Sequence, residues 1–129
     1  ISTIGLRLLD GSGLSRDDLV PPTTLGQVLN QAATSQSQKL WPITYGMPVA
    51  GFTGTLATRF VLPATKPGRG EVRAKTGSRT GVSSLAGLVT DNDGDLLTFV
   101  FMAPDAADIF AAQVAWDRGS AALSQCGCK

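Results

Sequence analysis

Three strand-like segments follow one another in the second half of the chain, and they constrain its fold more than any other feature. The segments are Glu71 to Gly77, Val82 to Thr90 and Leu96 to Ala103. Only a few residues separate them, and the last two are joined by the polar run Asp91-Asn92-Asp93-Gly94-Asp95, which favours hairpin connections. The sequence therefore predicts an antiparallel meander of three strands.

Helical patterns precede and follow these strands. Pro21-Pro22-Thr23-Thr24 predicts the start of a helix that ends near Ser35. Its apolar residues recur at helical spacing and are Leu25, Val28, Leu29 and Ala32. A long amphipathic helix is predicted from Asp105 onward, with Asp105 and Asp108 near its positive end. The apolar positions of that helix are Ala107, Phe110, Ala111, Val114, Ala115 and Ala121.

The remaining segments predict shorter elements. Leu6 to Leu9 has the pattern of a short strand that runs into a loop with two glycines. Gln38 to Phe60 is interrupted by prolines and glycines and predicts one or two short helices joined by tight turns, and Pro63 to Gly70 predicts a loop. Strands in one block with helices before and after indicate an α+β fold in which helices flank an antiparallel sheet.

The composition excludes several classes of function. The 129 residues are 43% hydrophobic with a formal net charge of +1, which fits one globular domain and gives no general attraction to nucleic acid or an anionic membrane. Histidine is absent, which removes Ser-His-Asp and Cys-His nucleophiles and histidine-containing zinc sites. The longest apolar stretch, Leu96 to Ala103, is far shorter than the roughly 20 residues that cross a bilayer. No cofactor, metal or membrane span is predicted.

Two charged clusters have simple structural explanations. The Asp91, Asp93 and Asp95 carboxylates resemble a calcium loop, but the bidentate glutamate position is occupied by Met102, so a polar hairpin turn is favoured. Five cations lie within fourteen residues at Lys66, Arg69, Arg73, Lys75 and Arg79. No aromatic residue lies among them, which favours a protected edge strand over a nucleic-acid site.

Both cysteines lie in the last four residues. Cys126 and Cys128 are separated by one residue, which is too short for the two-residue gap of common redox or zinc motifs. The thiols are unreactive, pair with each other, or pair with another segment, and the sequence leaves these alternatives open.

One motif within the basic cluster carries chemistry that needs no histidine. Lys75-Thr76-Gly77-Ser78 stands immediately before a second strand and matches the K-T-G element of penicillin-binding proteins and serine β-lactamases. In those proteins the lysine and hydroxyl groups face a carboxylate-bearing substrate, glycine leaves room beside the strand, and a backbone N–H stabilises the oxyanion.

Two further blocks extend this match, namely Asp10 to Arg16 and Met47 to Leu56. With Ala74 to Ser78 and the strand that follows, the chain resembles class C penicillin-binding proteins, the D-alanyl-D-alanine carboxypeptidase/endopeptidase group. The resemblance implies a transpeptidase-like domain with an antiparallel sheet, helices on both faces and a serine nucleophile in an S-x-x-K motif. This sequence contains neither S-x-x-K nor the family's S-x-N element. We therefore expect residues 1–129 to be a single partial domain, the C-terminal part of a penicillin-binding domain, inactive without an upstream segment that carries the nucleophile.

The resemblance also implies roles for individual residues. Lys75 would supply electrostatics and proton routing, Thr76 and Ser78 would bind the terminal carboxylate, and the Ser78 N–H would serve the oxyanion hole beside Gly77. Arg16 would contact the acidic end of a diamino-acid side chain, because a guanidinium can bind a carboxylate bidentately. The alternative for Arg16 is a surface charge paired with Asp17 or Asp18.

The function implied is hydrolysis of D-Ala-D-Ala ends or D-Ala cross-links of peptidoglycan through an acyl-enzyme, with β-lactams as ligands and a periplasmic or extracytoplasmic location. A β-lactamase would share the Lys75-Thr76-Gly77 element, but the Asp10 to Arg16 block favours the carboxypeptidase group. The alternative is a catalytically inactive module of the same fold that binds peptidoglycan.

Overall fold

A three-stranded antiparallel sheet forms the centre of the structure, a computed structural model that describes residues 1–127. Its strands are β1 (Val72–Arg79), β2 (Val82–Thr90) and β3 (Leu96–Ala103), in the order β1-β2-β3. The predicted meander is confirmed. Strand β1 runs two residues further than predicted because Ser78 and Arg79 continue the pairing with β2 up to the turn.

The described residues also form three α-helices: α1 (Pro22–Thr34), α2 (Trp41–Tyr45) and α3 (Ile109–Leu123). Helix α1 has a proline in its first turn and ends at the predicted position. Two single turns of 3₁₀ helix complete the regular elements, at Gly54–Leu56 and at Lys66–Gly68, the second within a segment predicted as loop.

Each face of the sheet packs against a different helix. The face toward α3 holds the larger core, in which Phe60 and Leu56 lie against strand residues such as Val72, Leu85 and Phe99. The opposite face packs Ala86 and Val100 against Leu25 and Leu29 of α1 and against Met47. Helices on both faces of an antiparallel sheet confirm the predicted α+β arrangement.

The buried face of α3 is not the predicted one. Phe110 is 73% exposed, and of the six predicted apolar positions only Ala121 is fully buried. Polar residues of the helix are buried instead because their hydrogen bonds are satisfied: Asp117 pairs with Arg59, and the Ser120 hydroxyl donates to a helix carbonyl. The helix also begins later than predicted, with Asp108 as its N-cap, so Asp105 lies outside it.

The strand predicted at Leu6 to Leu9 is absent from the described residues. This segment forms only an isolated bridge between Arg7 and Leu19, and Leu8 and Leu9 are both more than half exposed. None of the first twenty residues is buried. An apolar run becomes a strand only where a neighbouring strand and a core receive it, and neither is present beside this segment in residues 1–127.

Candidate functional site

The outer edge of β1 is covered along its first half only. The segment Pro48–Ala50 pairs with it: the Ala50 N–H donates to the Val72 carbonyl (2.9 Å), and the Ala74 N–H donates to the Pro48 carbonyl (3.0 Å). This pairing stops at Ala74. The stretch that carries the Lys75-Thr76-Gly77-Ser78 motif is therefore an open strand edge among the described residues.

Backbone direction along β1 determines which groups face that open edge. Hydrogen-bonding direction alternates along a strand that is paired on both sides, and the amide of Ala74 points outward to Pro48. The amides of Thr76 and Ser78 have the same parity, so they also point outward. The structure thus presents two backbone donors in a row beside the side chains of the motif.

The motif's own side chains lie next to this edge. The exposed Lys75 ammonium donates to the Thr76 carbonyl (2.8 Å), and it forms no contact with a carboxylate within residues 1–127. The Thr76 hydroxyl donates to the hydroxyl of Thr55 (3.1 Å), and Ser78 is exposed. A cation and two hydroxyl groups are therefore available to an anionic ligand at the open edge.

Gly77 lies directly across from Ser84 of β2. The Ser84 hydroxyl donates to the Gly77 carbonyl (3.3 Å), and a Cβ atom added at Gly77 would collide with that same hydroxyl oxygen. A side chain at position 77 would therefore force the Ser84 hydroxyl to move and to give up its hydrogen bond to the Gly77 carbonyl, independently of any ligand.

A pocket of about 430 Å³ lies between the motif and the helices α1 and α2. Lys75, Thr76 and Gly77 line one end of it, together with Ser84 and Ala86. The other walls are apolar side chains of α1, of α2 and of the segment that follows α2: Leu25, Val28, Leu29, Pro42, Ile43 and Met47. A largely apolar space with a few polar groups at one end is typical of a site that receives an organic ligand or a packed segment of protein.

The Asp10–Arg16 loop is stabilised by one carboxylate. Asp10 accepts hydrogen bonds from the amides of Gly13 (2.7 Å), Ser15 (2.8 Å) and Ser12 (2.9 Å). Desolvation acts to raise the pKa of Asp10, but these hydrogen bonds outweigh it and hold the pKa below its usual value. Arg16 is exposed and forms no ion pair within residues 1–127, so the alternative of an ion pair with Asp17 or Asp18 is not observed.

The structure brings four of the five predicted site residues together. Lys75, Thr76, Gly77 and Ser78 share the end of β1. No hydrogen bond or ion pair connects Arg16 to them within the described residues. Sequence reasoning did not single out Thr55, although it lies in the Met47 to Leu56 block.

A buried ion pair lies on the side of the sheet that α3 covers. Arg59 donates to both carboxylate oxygens of Asp117, at 3.2 and 2.6 Å, and both side chains are mostly buried. Burial raises the pKa of Asp117, against the opposing effect of the Arg59 hydrogen bonds and charge. This pair joins the Phe60 loop to α3 and has no contact with the motif.

The predicted polar hairpin turn connects β2 and β3. The Asp91 carboxylate accepts hydrogen bonds from the amides of Asp93 and Asp95, which confirms the polar hairpin turn.

Residues 1–127 contain no group of three or more histidine, cysteine or acidic residues suited to a metal ion. They also contain no helix of the length and hydrophobicity needed to span a bilayer. Cys126 is disulfide-bonded, and Cys128 lies outside the described residues.

Helices on both faces of an antiparallel sheet, with a Lys-Thr-Gly strand at its edge, define the fold class of penicillin-binding proteins. The crystal structure of penicillin-binding protein 4 (dacB) from Haemophilus influenzae superimposes with a TM-score of 0.77 at 33% identity, over 94% of this chain and 28% of that chain. A second structure of that protein, complexed with a β-lactam, superimposes with a TM-score of 0.73 at 36% identity, over 88% of this chain and 27% of that chain.

The sequence places the chain in a particular family within this class. It matches the D-Ala-D-Ala carboxypeptidase 3 (S13) family over residues 1–123, and it belongs to that family. Carboxypeptidase DacB of Mycolicibacterium smegmatis is 41% identical over 129 residues, which are 99% of this chain and 28% of the relative. The chain thus spans little more than a quarter of the length of these relatives.

Proposed function

We propose that this chain forms the C-terminal part of the penicillin-binding domain of a serine D,D-carboxypeptidase/endopeptidase. The complete enzyme hydrolyses D-Ala-D-Ala ends or D-Ala cross-links of peptidoglycan through an acyl-enzyme, and it binds β-lactams. The observation that carries the proposal is the open edge of β1, where the outward amides of Thr76 and Ser78 lie beside the Lys75 ammonium. The location that follows from a peptidoglycan substrate is periplasmic or extracytoplasmic.

The edge suits a substrate that lies along β1 as an additional strand, because outward amides bind an extended peptide through main-chain hydrogen bonds. In the proposed reaction a serine hydroxyl attacks the D-Ala carbonyl, its proton passes to a nearby lysine, and the tetrahedral oxygen carries the negative charge. The Ser78 N–H stabilises that oxygen. The leaving D-Ala amine takes up a proton, and water then hydrolyses the ester and frees the serine.

Three groups of the motif bind the terminal carboxylate in this proposal. The hydroxyls of Thr76 and Ser78 donate hydrogen bonds to it, and the Lys75 ammonium supplies the opposite charge and a route for protons. To do so, Lys75 exchanges its present bond to the Thr76 carbonyl for the ligand. That exchange is favourable because the carbonyl is a neutral acceptor and the carboxylate a charged one, and charge-assisted hydrogen bonds are stronger.

An upstream segment of the same protein supplies the serine in this proposal, and two surfaces support such a partner. The pocket beside Lys75 and Thr76 has apolar walls that a buried segment would fill. Strand β3 pairs only with β2 among the described residues, and none of its eight residues is charged or proline. Edge strands of soluble proteins are normally protected by such residues or covered. The isolated chain is accordingly expected to be inactive.

The decisive measurement is the rate of acylation by a labelled penicillin in the full-length protein. Lys75→Ala should lower that rate by at least about a hundredfold, the scale of a single electrostatic or proton-transfer contribution. The matched control is Arg73→Ala, which removes an exposed cation of the same strand and should leave the rate within about twofold.

Folding of both variants is checked by circular dichroism. An unchanged acylation rate in a natively folded Lys75→Ala protein would assign Lys75 to the protection of an edge strand. Absence of any covalent adduct in the unmodified full-length protein would instead favour a catalytically inactive module that binds peptidoglycan.

A further inference from the structure

A side-chain hydrogen bond connects the motif to a distant part of the chain. The hydroxyl oxygens of Thr76 and Thr55 are 3.1 Å apart, although the residues are 21 positions apart in sequence. Thr55 lies in the 3₁₀ turn Gly54–Leu56, which follows the segment that pairs with the first half of β1. Thr55 therefore lies where the pairing with Pro48–Ala50 stops and the open edge of β1 begins.

The turn that carries Thr55 is anchored to the core by burial and by backbone hydrogen bonds. Its neighbour Leu56 is fully buried, and the Leu56 carbonyl accepts the Gly51 amide (2.9 Å). Ala50 is also fully buried, and its amide joins the turn to Val72 of β1. A polar side chain held by a buried, hydrogen-bonded turn keeps its position better than one on an unsupported loop. The turn thus fixes the Thr55 hydroxyl relative to β1.

Either hydroxyl of this pair can donate the hydrogen bond and the other can accept it. A hydroxyl has one proton to donate and can accept hydrogen bonds as well. In the structure the Thr76 hydroxyl donates to Thr55. If Thr76 is to donate to a ligand carboxylate, its proton must turn away from Thr55. The Thr55 hydroxyl can then rotate and donate its own proton to the Thr76 oxygen, so that no hydrogen bond is lost.

We propose that Thr55 is a positioning residue that holds the Thr76 hydroxyl at the open edge of β1 and reverses its hydrogen bond when an anionic ligand arrives. This inference rests on the proposed function, because it assumes that Thr76 binds a carboxylate. Donation from Thr55 polarises the Thr76 hydroxyl and strengthens its bond to a charged acceptor. The effect is larger for a carboxylate than for a neutral ester, because hydrogen bonds to charged groups are the stronger ones.

The test compares variants of Thr55 in the full-length protein. Thr55→Val keeps the shape and removes the hydroxyl, and it should lower the rate of acylation by benzylpenicillin about five- to tenfold, roughly the factor of one hydrogen bond. Thr55→Ser retains the donor and should stay within about twofold of the unmodified protein. Thr58→Val is the matched control, because Thr58 is exposed, lies three residues away and has a hydroxyl that forms no hydrogen bond within residues 1–127.

A second ligand separates positioning from structural support. With the methyl ester of the same penicillin, Thr55→Val should lose less than about twofold relative to the unmodified protein, because the charged acceptor is missing. Equal losses for acid and ester, or a Thr55→Ser variant as slow as Thr55→Val, would overturn the inference and leave Thr55 a structural residue. Thr55→Ala replaces Thr55→Val if the latter has a lowered melting temperature.

Thr76→Val separates this inference from the proposed function. A slow Thr76→Val variant together with an unimpaired Thr55→Val variant would overturn the role of Thr55 and leave the proposed function intact. An unimpaired Thr76→Val variant would show that Thr76 does not bind the carboxylate, and it would overturn that part of the proposed function and the inference with it.

Discussion

The Lys75–Ser78 stretch of β1 and the Asp10–Arg16 loop both carry predicted binding residues, but different forces fix them. The stretch continues from Val72 and Ala74, which are fully buried, and it pairs with β2 along its whole length. The loop contains no buried residue, and the carboxylate of Asp10 stabilises it through local hydrogen bonds. Core packing fixes where a group lies in the molecule, whereas local hydrogen bonds fix only the conformation of a segment.

This difference predicts opposite responses to substitution. In the strand, a single atom added at Gly77 meets the Ser84 side chain of the paired strand, which must move to admit it. In the loop, a side chain such as Arg16 can be removed at little cost in stability, because it is exposed and forms no ion pair within residues 1–127. Substitutions in the strand should therefore change stability and activity together. Substitutions in the loop should change activity with little change in stability.

The largest effect is expected at Gly77. In the full-length protein, Gly77→Ala adds one carbon atom that collides with the Ser84 hydroxyl, and it should lower the free energy of unfolding by about 1–3 kcal/mol, as overpacking does. It should also lower penicillin acylation strongly, because Gly77 lies between Thr76 and Ser78, the two residues whose hydroxyls bind the ligand in the proposed function. Thermal unfolding and acylation rate are measured on the same preparation.

Ser84→Gly removes the colliding oxygen and serves as the control in a double variant. We expect Gly77→Ala with Ser84→Gly to recover most of the lost stability while acylation stays low, because the added carbon still lies between the two residues that bind the ligand. Recovery of both properties together would show that Gly77 is needed only for packing between β1 and β2.

Two strands that were predicted correctly, β2 and β3, contrast with the strand that was predicted wrongly at Leu6 to Leu9. β2 and β3 have the predicted limits because turn residues bound each apolar run on both sides, as Gly94 does before β3. Leu6 to Leu9 has a similar apolar pattern but forms only one bridge. A pattern predicts that a segment can be a strand, and only the rest of the fold supplies the partner.

The candidate site was predicted in part for a related reason. Lys75 to Ser78 are consecutive, so a motif reveals them directly. Thr55 contacts Thr76 because Pro48–Ala50 pairs with the edge of β1. The spacing of residues along the sequence does not predict that pairing. The buried face of α3 was predicted wrongly because helical periodicity counts Asp117 as a surface residue, whereas its pairing with Arg59 allows it to be buried.

An intermediate effect, limited to one kind of substrate, is expected at Arg16. In the full-length protein, Arg16→Ala should weaken cleavage of a peptide with an acidic diamino acid about ten- to a hundredfold, the contribution of a charge-assisted pair. Acylation by benzylpenicillin should change little, because that ligand has no such side chain. The matched control is Arg7→Ala, which removes an exposed arginine of the same region.

Equal losses for peptide and penicillin would assign Arg16 to the structure of the loop, and its proposed role in specificity would then be withdrawn. An Arg7→Ala variant that loses peptide cleavage as strongly as Arg16→Ala would indicate a general effect of positive charge.

The smallest effect is expected at Asp10, and it concerns pH. The amide hydrogen bonds hold the pKa of this carboxyl below 3.8, so its contribution to loop order is complete above about that pH and is lost as the pH falls through the lower folded-state value. Asp10→Asn removes the charge, so the variant should lack this pH dependence and should exchange its loop amides faster at pH 5 than the unmodified protein does.

Hydrogen–deuterium exchange of the full-length protein, read by mass spectrometry and corrected for intrinsic rates, measures this difference. The peptide containing Gly13 and Ser15 should lose protection in Asp10→Asn, and the peptide containing β1 should keep it at the same pH, because core packing rather than Asp10 stabilises the strand. Loss of protection in both peptides would mean that the loop and the strand form one cooperative unit, and the proposed contrast between local hydrogen bonds and core packing would then fail.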